Sequence, residues 1–82
     1  MSTLTIYSVP NCPQCDQTKL VLSRHGISFN EVDLSQDEKK REELRNKGVR
    51  SAPFVEFGSD WWSGFNMGKI KSAISAVQSL VN

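Results

Sequence analysis

The chain has 82 residues, of which 38% are hydrophobic and 23% charged, and its formal net charge is +1. A chain of this length supports one compact domain with a small core, so we expect a single domain over residues 1–82. Basic and acidic residues are interleaved, which gives no electrostatic reason to expect a nucleic-acid or membrane partner.

The amino-terminal residues carry neither the basic segment nor the apolar run of a secretory signal. No stretch approaches the roughly 20 apolar residues of a membrane span. We therefore expect a cytoplasmic protein, in a compartment that keeps thiols reduced. In that setting the two cysteines, Cys12 and Cys15, favour catalysis over a permanent disulfide.

The first third of the chain predicts a strand, a helix and a second strand. Residues 3–9 are β-branched and aromatic, and residues 27–34 form a similar run. Between them, residues 13–24 favour a helix that begins at a proline, and this connection makes the strands parallel. We expect three residues to form the apolar face of this helix: Leu20, Val21 and Leu22.

A charged helix is predicted next. Ser35 and Glu38 have the spacing of a capping box, and the helix they open extends to about Lys47 and ends at Gly48. Only Leu44 is apolar within it, so we expect this helix to pack lightly.

The last third predicts an antiparallel hairpin and a final helix. Residues 53–57 form a strand, 58–60 a turn and 61–62 a short strand, followed by a helix over 66–81. The order βαβαββα indicates an α/β domain with a four-stranded mixed sheet and three helices on its two faces. The apolar face of the last helix comprises Met67, Ile70, Ala73, Ile74, Val77, Leu80 and Val81.

The Cys-x-x-Cys pair lies between a strand and a helix, a setting that suits thiol chemistry. The first turn of a helix presents unpaired N–H groups and the positive end of the dipole, which stabilise a thiolate at Cys12. Cys15, one turn further on, is placed to attack a mixed disulfide on Cys12. The pattern therefore predicts disulfide exchange.

Three other interpretations of the pair stay open. A structural disulfide closing so short a loop adds little stability. A zinc site needs about four ligands, and beyond the cysteines the chain offers His25, which also suits a helix end. Buried inert cysteines are the third alternative, although Pro10, Asn11 and Pro13 indicate a surface loop.

Three motifs together resemble the NrdH-redoxins, which are glutaredoxin-like proteins of the thioredoxin superfamily. They are Tyr-Ser-x-Pro-Asn-Cys-Pro-Gln-Cys at residues 7–15, Ala-Pro at 52–53 and Trp-Ser-Gly-Phe at 62–65. The last is the most diagnostic, because ordinary glutaredoxins carry Gly-Gly-x-Asp there. The likeness extends from about Thr3 to Ile70.

The resemblance implies a thioredoxin/glutaredoxin fold and a thiol–disulfide oxidoreductase. Such a protein is a dithiol electron donor to the large subunit of class Ib ribonucleotide reductase, in deoxyribonucleotide synthesis. Thioredoxin reductase recycles it with electrons from NADPH. No metal and no cofactor beyond the Cys12–Cys15 disulfide is expected, and the chain is expected to be a monomer.

The resemblance also assigns roles to individual residues. Cys12 becomes the nucleophile, Cys15 the resolving thiol and Pro53 a cis-proline that turns Ala52 towards an extended substrate. Trp62 to Phe65 become a surface motif on the reductase-facing side, although Trp61 and Trp62 also suit the edge of a small sheet. The residues expected to contact substrate or partner are Pro13, Gln14, Ala52, Pro53, Trp62, Ser63, Gly64 and Phe65.

Two alternative functions remain open. The chain has Phe65 and Asn66 where glutaredoxins hold glutathione with an acid, but Arg50 is a basic residue of the kind they use, so a glutathione-dependent glutaredoxin is one alternative. An iron–sulfur cluster shared by two chains through Cys12 is the other. Val9 and Met67 depart from the NrdH pattern and leave the cognate partner open.

Overall fold

A four-stranded mixed sheet with helices on both faces forms the architecture, and the computed structural model describes residues 4–49 and 52–81. The elements are β1 (Leu4–Ser8), α1 (Pro13–Arg24), β2 (Asn30–Asp33), a 3₁₀ turn (Leu34–Gln36), α2 (Glu38–Asn46), β3 (Phe54–Phe57), β4 (Asp60–Ser63) and α3 (Met67–Val81). The predicted order of strands and helices is confirmed. Of the positions used above, Thr3, Arg50 and the side chains of Leu80 and Val81 lie outside the described residues.

The strands are arranged in the order β2-β1-β3-β4. β1 pairs with β2 in parallel, as the helical connection predicts, and the β1–β3 and β3–β4 pairs are antiparallel. The carboxyl end of β1 and the amino end of β3 therefore lie side by side at the same end of the strands, where Tyr7 pairs with Phe54.

Alternation along the strands separates two hydrophobic clusters. The face covered by α1 and α3 buries Leu4, Ile6, Leu22, Ile27, Val55, Trp62, Ile70, Ala73 and Ile74. The face covered by α2 buries a smaller set: Tyr7, Leu34, Leu44 and Phe54. None of the helices in the described part of the chain is long and apolar enough to cross a membrane.

The apolar face predicted for α1 is partly wrong. The buried residues of α1 are Cys15, Thr18 and Leu22, at spacings of three and four, whereas Leu20 is 50% exposed. Two residues along a helix correspond to about 200°, so Leu20 points away when Leu22 faces the core. In α3 the burial begins at Ile70, and Met67 in the first turn is 37% exposed.

The predicted cap of α2 is also wrong. Ser35 lies in the 3₁₀ turn, where its N–H donates to Asp33 Oδ1 at 2.9 Å. The helix is capped instead by Asp37, whose Oδ1 accepts from the Lys40 N–H at 3.0 Å. Asp37, like Ser35, has a side-chain oxygen that can accept a hydrogen bond from a backbone N–H. Because it lies directly before the first helical residue, it is the N-cap.

Candidate active site

Cys12 and Cys15 lie at the amino end of α1 and are joined by a disulfide, with their Cα atoms 5.2 Å apart. Asn11, with a φ of 58°, turns the loop after β1, and Cys12 follows in an extended conformation as the N-cap. Pro13 takes the first helical position, where its missing N–H costs no hydrogen bond. The sequence thus fixes both cysteines on the first turn of the helix.

The two sulfurs differ in their access to solvent. Cys12 is partly exposed, whereas Cys15, on the buried side of the first turn of α1, is 1% exposed. The Cys15 N–H donates to Cys12 Sγ at 3.1 Å. After reduction, the same N–H and the helix dipole favour negative charge on the outer sulfur.

The loop before β3 lies opposite the exposed cysteine. The Ala52–Pro53 peptide bond is cis, as the family resemblance implies, and Pro53 is buried. The carbonyl oxygen of Ala52 lies 3.9 Å from Cys12 Sγ. A disulfide that reaches Cys12 therefore also meets the backbone of Ala52.

The loop after β4 is hydrogen-bonded to both of these segments. The Gly64 N–H donates to the carbonyl oxygen of Pro53 at 2.7 Å, and the Phe65 N–H donates to Gln14 Oε1 at 3.2 Å. Gly64 has a φ of 77°, a conformation that glycine adopts without strain. The three sequence motifs thus meet around one exposed sulfur.

The surface position predicted for Trp62 is wrong. Trp62 is 5% exposed and belongs to the cluster under α1 and α3, whereas Trp61 is 43% exposed and lies against Phe54 with ring centroids 5.4 Å apart. The hairpin turn has two residues, Gly58 and Ser59, rather than the predicted three, so Trp62 pairs with Val55 and shares its buried face. A one-residue change of register moves each side chain to the other face.

The remaining predicted site residues divide into two groups. Gln14, Ala52, Pro53, Gly64 and Phe65 lie together around Cys12 through the contacts above. Pro13 and Ser63 are exposed in the same segments. Arg50, the residue expected to favour glutathione, lies outside the described residues.

The structure also shows a groove that the sequence did not predict. It has a volume of about 640 Å³ and lies between α2 and the loops at Val9 and Ala52. We call it the α2 groove. Its lining comprises Val9, Leu34, Arg41, Leu44, Arg45, Gly48, Val49 and Ala52. The spacing of Arg41, Leu44 and Arg45 on one helical face was the available signal.

A polar cluster connects α1 with β1 and β2. Glu31 Oε2 accepts hydrogen bonds from Lys19 Nζ at 2.7 Å and from Ser8 Oγ at 3.0 Å. The hydrogen bond with Lys19 is the main cause that lowers the pKa of Glu31 and raises the pKa of Lys19. The buried Ser8 is thus satisfied, and the pair ties α1 to β2.

A second polar cluster lies on the α2 side. Burial, followed by the hydrogen bond to Glu56, raises the pKa of Tyr7, whose hydroxyl donates to Glu56 Oε1 at 2.6 Å. Lys47 Nζ lies 3.7 Å from Glu56 Oε2 and 5.6 Å from the ring centre of Phe54. Cations and one hydroxyl therefore cover much of this face of the sheet.

Comparison with known proteins places the chain among redox proteins. The glutaredoxin family model matches residues 4–62. A glutaredoxin-like 8.6 kDa protein in the rubredoxin operon of Clostridium pasteurianum is 36% identical over 72 residues, covering 87% of this chain and 96% of that protein. The glutaredoxin-like protein NrdH of Lactococcus lactis subsp. cremoris is 37% identical over 62 residues, covering 76% of this chain and 86% of that protein.

A solved structure is similar over most of the chain. The NrdH-redoxin of Escherichia coli superposes with a TM-score of 0.83 at 33% identity, covering 85% of this chain and 92% of that one. A glutaredoxin from Archaeoglobus fulgidus gives a TM-score of 0.73 at 26% identity, with 90% and 87% covered. The arrangement of the sheet and the helices therefore follows that of known glutaredoxin-like proteins.

Proposed function

Because the chain belongs to the glutaredoxin family, as one of its NrdH-like members, we propose that it is a dithiol electron donor to the large subunit of class Ib ribonucleotide reductase. Thiol–disulfide oxidoreductase activity follows from the family and the Cys12–Cys15 pair. In the proposed reaction, ribonucleotide reductase receives the electrons and thioredoxin reductase supplies them. It assigns the protein to the cytoplasm, as a monomer without a further cofactor.

The observation that carries the proposal is the unequal access of the two sulfurs. In the reduced protein the Cys12 thiolate attacks a sulfur of the partner's disulfide, and the other partner sulfur leaves as a thiolate that takes up a proton. The Cys15 thiol loses its proton and attacks Cys12 Sγ, which releases the second partner thiol. The partner gains two electrons and two protons, and Cys12 and Cys15 become the disulfide.

The hydrogen bond from the Cys15 N–H supports Cys12 as the nucleophile. It points at the outer sulfur from 3.1 Å and stabilises the Cys12 thiolate before that thiolate attacks the partner disulfide. The cis Ala52–Pro53 segment lies beside that sulfur and provides backbone groups for an extended partner segment.

The choice of thioredoxin reductase is supported by the relatives. The E. coli NrdH-redoxin is described as glutaredoxin-like with a thioredoxin-like activity profile. In this chain Phe65 and Asn66 follow Gly64, so the stretch after β4 offers no carboxylate to the amino group of glutathione. A thioredoxin-like profile and the missing carboxylate both favour thioredoxin reductase over glutathione, and thioredoxin reductase is therefore proposed as the reductant.

The roles of the cysteines are tested with single substitutions. Cys12→Ser removes the nucleophile, so disulfide reduction should fall to background. Cys15→Ser retains attack but removes resolution, so a mixed disulfide with the partner should accumulate and be visible on a non-reducing gel. Activity retained by Cys12→Ser, or no mixed disulfide with Cys15→Ser, would overturn the assignment.

The partner is tested by reconstitution of the whole electron chain. NADPH, thioredoxin reductase, this protein and class Ib ribonucleotide reductase are combined, and deoxyribonucleotide formation is measured. We expect product formation that depends on the protein and on Cys12. Turnover of other protein disulfides without deoxyribonucleotide formation would contradict the proposed acceptor while leaving the oxidoreductase activity intact.

A further inference from the structure

The α2 groove is open, largely apolar and directly beside the reactive sulfur. Ala52 forms one end of it and also lies 3.9 Å from Cys12 Sγ through its carbonyl oxygen. Val9, which is 36% exposed, and the partly buried Val49 add apolar surface beside the edges of the largely buried Leu34 and Leu44, and together they form an apolar wall. A molecule bound along Ala52 while its disulfide reacts at Cys12 therefore extends into the groove.

The charges of the groove have one sign. Among the described residues that line it, the charged ones are Arg41 and Arg45, which lie one turn apart on α2. Within the described part of the chain neither arginine has a carboxylate within 4.0 Å. Two acids of the same helix, Glu38 and Glu42, line a neighbouring depression together with Arg41 and Arg45, so the arginines lie between that depression and the groove. The third, Glu43, pairs with Lys40.

We propose that the α2 groove binds an extended segment of the disulfide-bearing partner protein that carries an apolar side chain and neighbouring carboxylates. The apolar side chain lies on the apolar wall of the groove. The carboxylates lie beside Arg41 and Arg45. The inference rests on the proposed function, because a protein disulfide is what brings such a segment to Cys12.

Glutathione fits the groove less well than a protein segment. It offers carboxylates to the arginines, but it has no apolar side chain and would leave the leucine and valine wall in contact with water. A polypeptide with both features satisfies the whole surface. Glutathione is therefore an outcome that the experiment must distinguish.

The test uses short peptides with one cysteine held as a mixed disulfide with 2-nitro-5-thiobenzoate. The Cys12 thiolate of the reduced full-length protein attacks the peptide sulfur and releases the coloured aryl thiolate. Cys15 then attacks Cys12 Sγ and releases the peptide thiol, so two electrons pass from the protein to the peptide disulfide. Stopped-flow absorbance follows the first step.

Four flanking sequences are compared, and each contains either Leu or Ser together with either two Glu or two Lys residues next to the cysteine. One set of peptides has this flank before the cysteine, and a second set has it after the cysteine. Each rate is divided by that of the mixed disulfide of mercaptoethanol with the same aryl thiol, measured with the same protein, so that the effect of the aryl carboxylate common to all substrates cancels. We expect the Leu/Glu flank to react about three- to tenfold faster than Leu/Lys at low salt, because exposed ion pairs contribute modestly. It should exceed Ser/Glu by about tenfold.

Charge reversal provides the decisive variant. In Arg41→Glu/Arg45→Glu the order of the Leu/Glu and Leu/Lys flanks should invert. A matched control, Arg24→Glu/Lys71→Glu, makes the same change of net charge at exposed positions outside the groove and should keep the wild-type order. Circular dichroism of each variant verifies that α2 is folded.

The possible failures are distinguishable. Equal rates for all flanks, or an order unchanged by Arg41→Glu/Arg45→Glu, would overturn the groove proposal. A mixed disulfide of glutathione that reacts faster than the Leu/Glu peptide, and loses that advantage in the variant, would assign the groove to glutathione instead. Reduction of the small mixed disulfide and recycling by thioredoxin reductase test the proposed function separately.

Discussion

The two faces of the sheet are built in different ways. The face under α1 and α3 buries aliphatic side chains and Trp62 in a closed cluster. The face under α2 buries fewer residues and places Lys40 over Tyr7 and Lys47 over Phe54, at 5.3 and 5.6 Å from the ring centres. The closed face positions the helix that holds the cysteines, whereas the other leaves the α2 groove open.

The two faces also hold their helices by different contacts. α1 is anchored by Leu22 and by Cys15 itself, so the reactive turn keeps its geometry. α2 is attached through Leu44 and through cation–ring contacts that water can partly replace. The cysteine turn is therefore held by closer packing than the α2 face beside it.

The largest expected effect comes from truncating one residue in each cluster. Ile70 is fully buried, and Ile70→Ala should lower the free energy of unfolding by about 4 kcal/mol. Leu44→Ala should lower it by about 2 kcal/mol, because the groove lets the surroundings relax or admit water. Urea denaturation of both variants measures the difference, and equal losses would show that the two faces are equally closed.

The next effect concerns the link between the cysteine helix and the loop after β4. Gln14→Ala removes the acceptor for the Phe65 N–H and should lower the free energy of unfolding by about 1 kcal/mol. Hydrogen exchange of the Phe65 amide should also become faster. Gln17→Ala is the matched control, since Gln17 is exposed on the same helix and no described residue bonds its side chain. Unchanged exchange at Phe65 would mean that the loop is held by other contacts.

A smaller effect should follow from removing the cation that covers the α2 face. Lys47→Met keeps most of the side-chain length but loses the contacts with Phe54, Trp61 and Glu56. It should therefore lower the free energy of unfolding by about 0.5–1 kcal/mol. Lys39→Met, at an exposed position of α2, should change stability less. If both variants have the same stability, the cation is not what holds α2 to the sheet.

The smallest effect depends on pH. Because the hydrogen bond from Lys19 lowers the pKa of Glu31, the ionised pair stabilises the fold above the ordinary carboxyl range, and this is lost as pH falls through the lowered value. Glu31→Gln should lower the free energy of unfolding by about 0.5 kcal/mol or less at neutral pH, since solvent screens a half-exposed pair. The difference from wild type should disappear in strongly acidic solution.

The control for this pair is Glu42→Gln, at an exposed position of α2 without an ion pair among the described residues. Its stability should follow wild type across the pH range. A difference for Glu31→Gln that persists in strong acid would assign the loss to packing or to the Ser8 hydrogen bond instead.

Local signals predicted much of the fold. The proline at position 13 and the residues after it predicted α1 with the bounds that the structure has, because N-terminal proline and a following glycine act within the helix itself. The parallel pairing of β1 with β2 followed from the same connection. Motif resemblance predicted the cis bond before Pro53, which composition does not.

Features that depend on register or on distant segments were not predicted. The face of Trp62 depended on a single residue in the hairpin turn: pairing with Val55 places it inside. The bond from the Phe65 N–H to Gln14 joins residues 51 apart, and no local pattern indicates it. The α2 groove is formed by three segments that meet only in the folded chain.

The most direct test of the central claim is a coupled assay of NADPH oxidation with a protein disulfide as acceptor. The protein is supplied either with thioredoxin reductase or with glutathione and glutathione reductase, and Cys12→Ser serves as the blank. We predict turnover with thioredoxin reductase and only background with glutathione. Turnover with glutathione alone would contradict the account and identify the protein as a glutathione-dependent glutaredoxin.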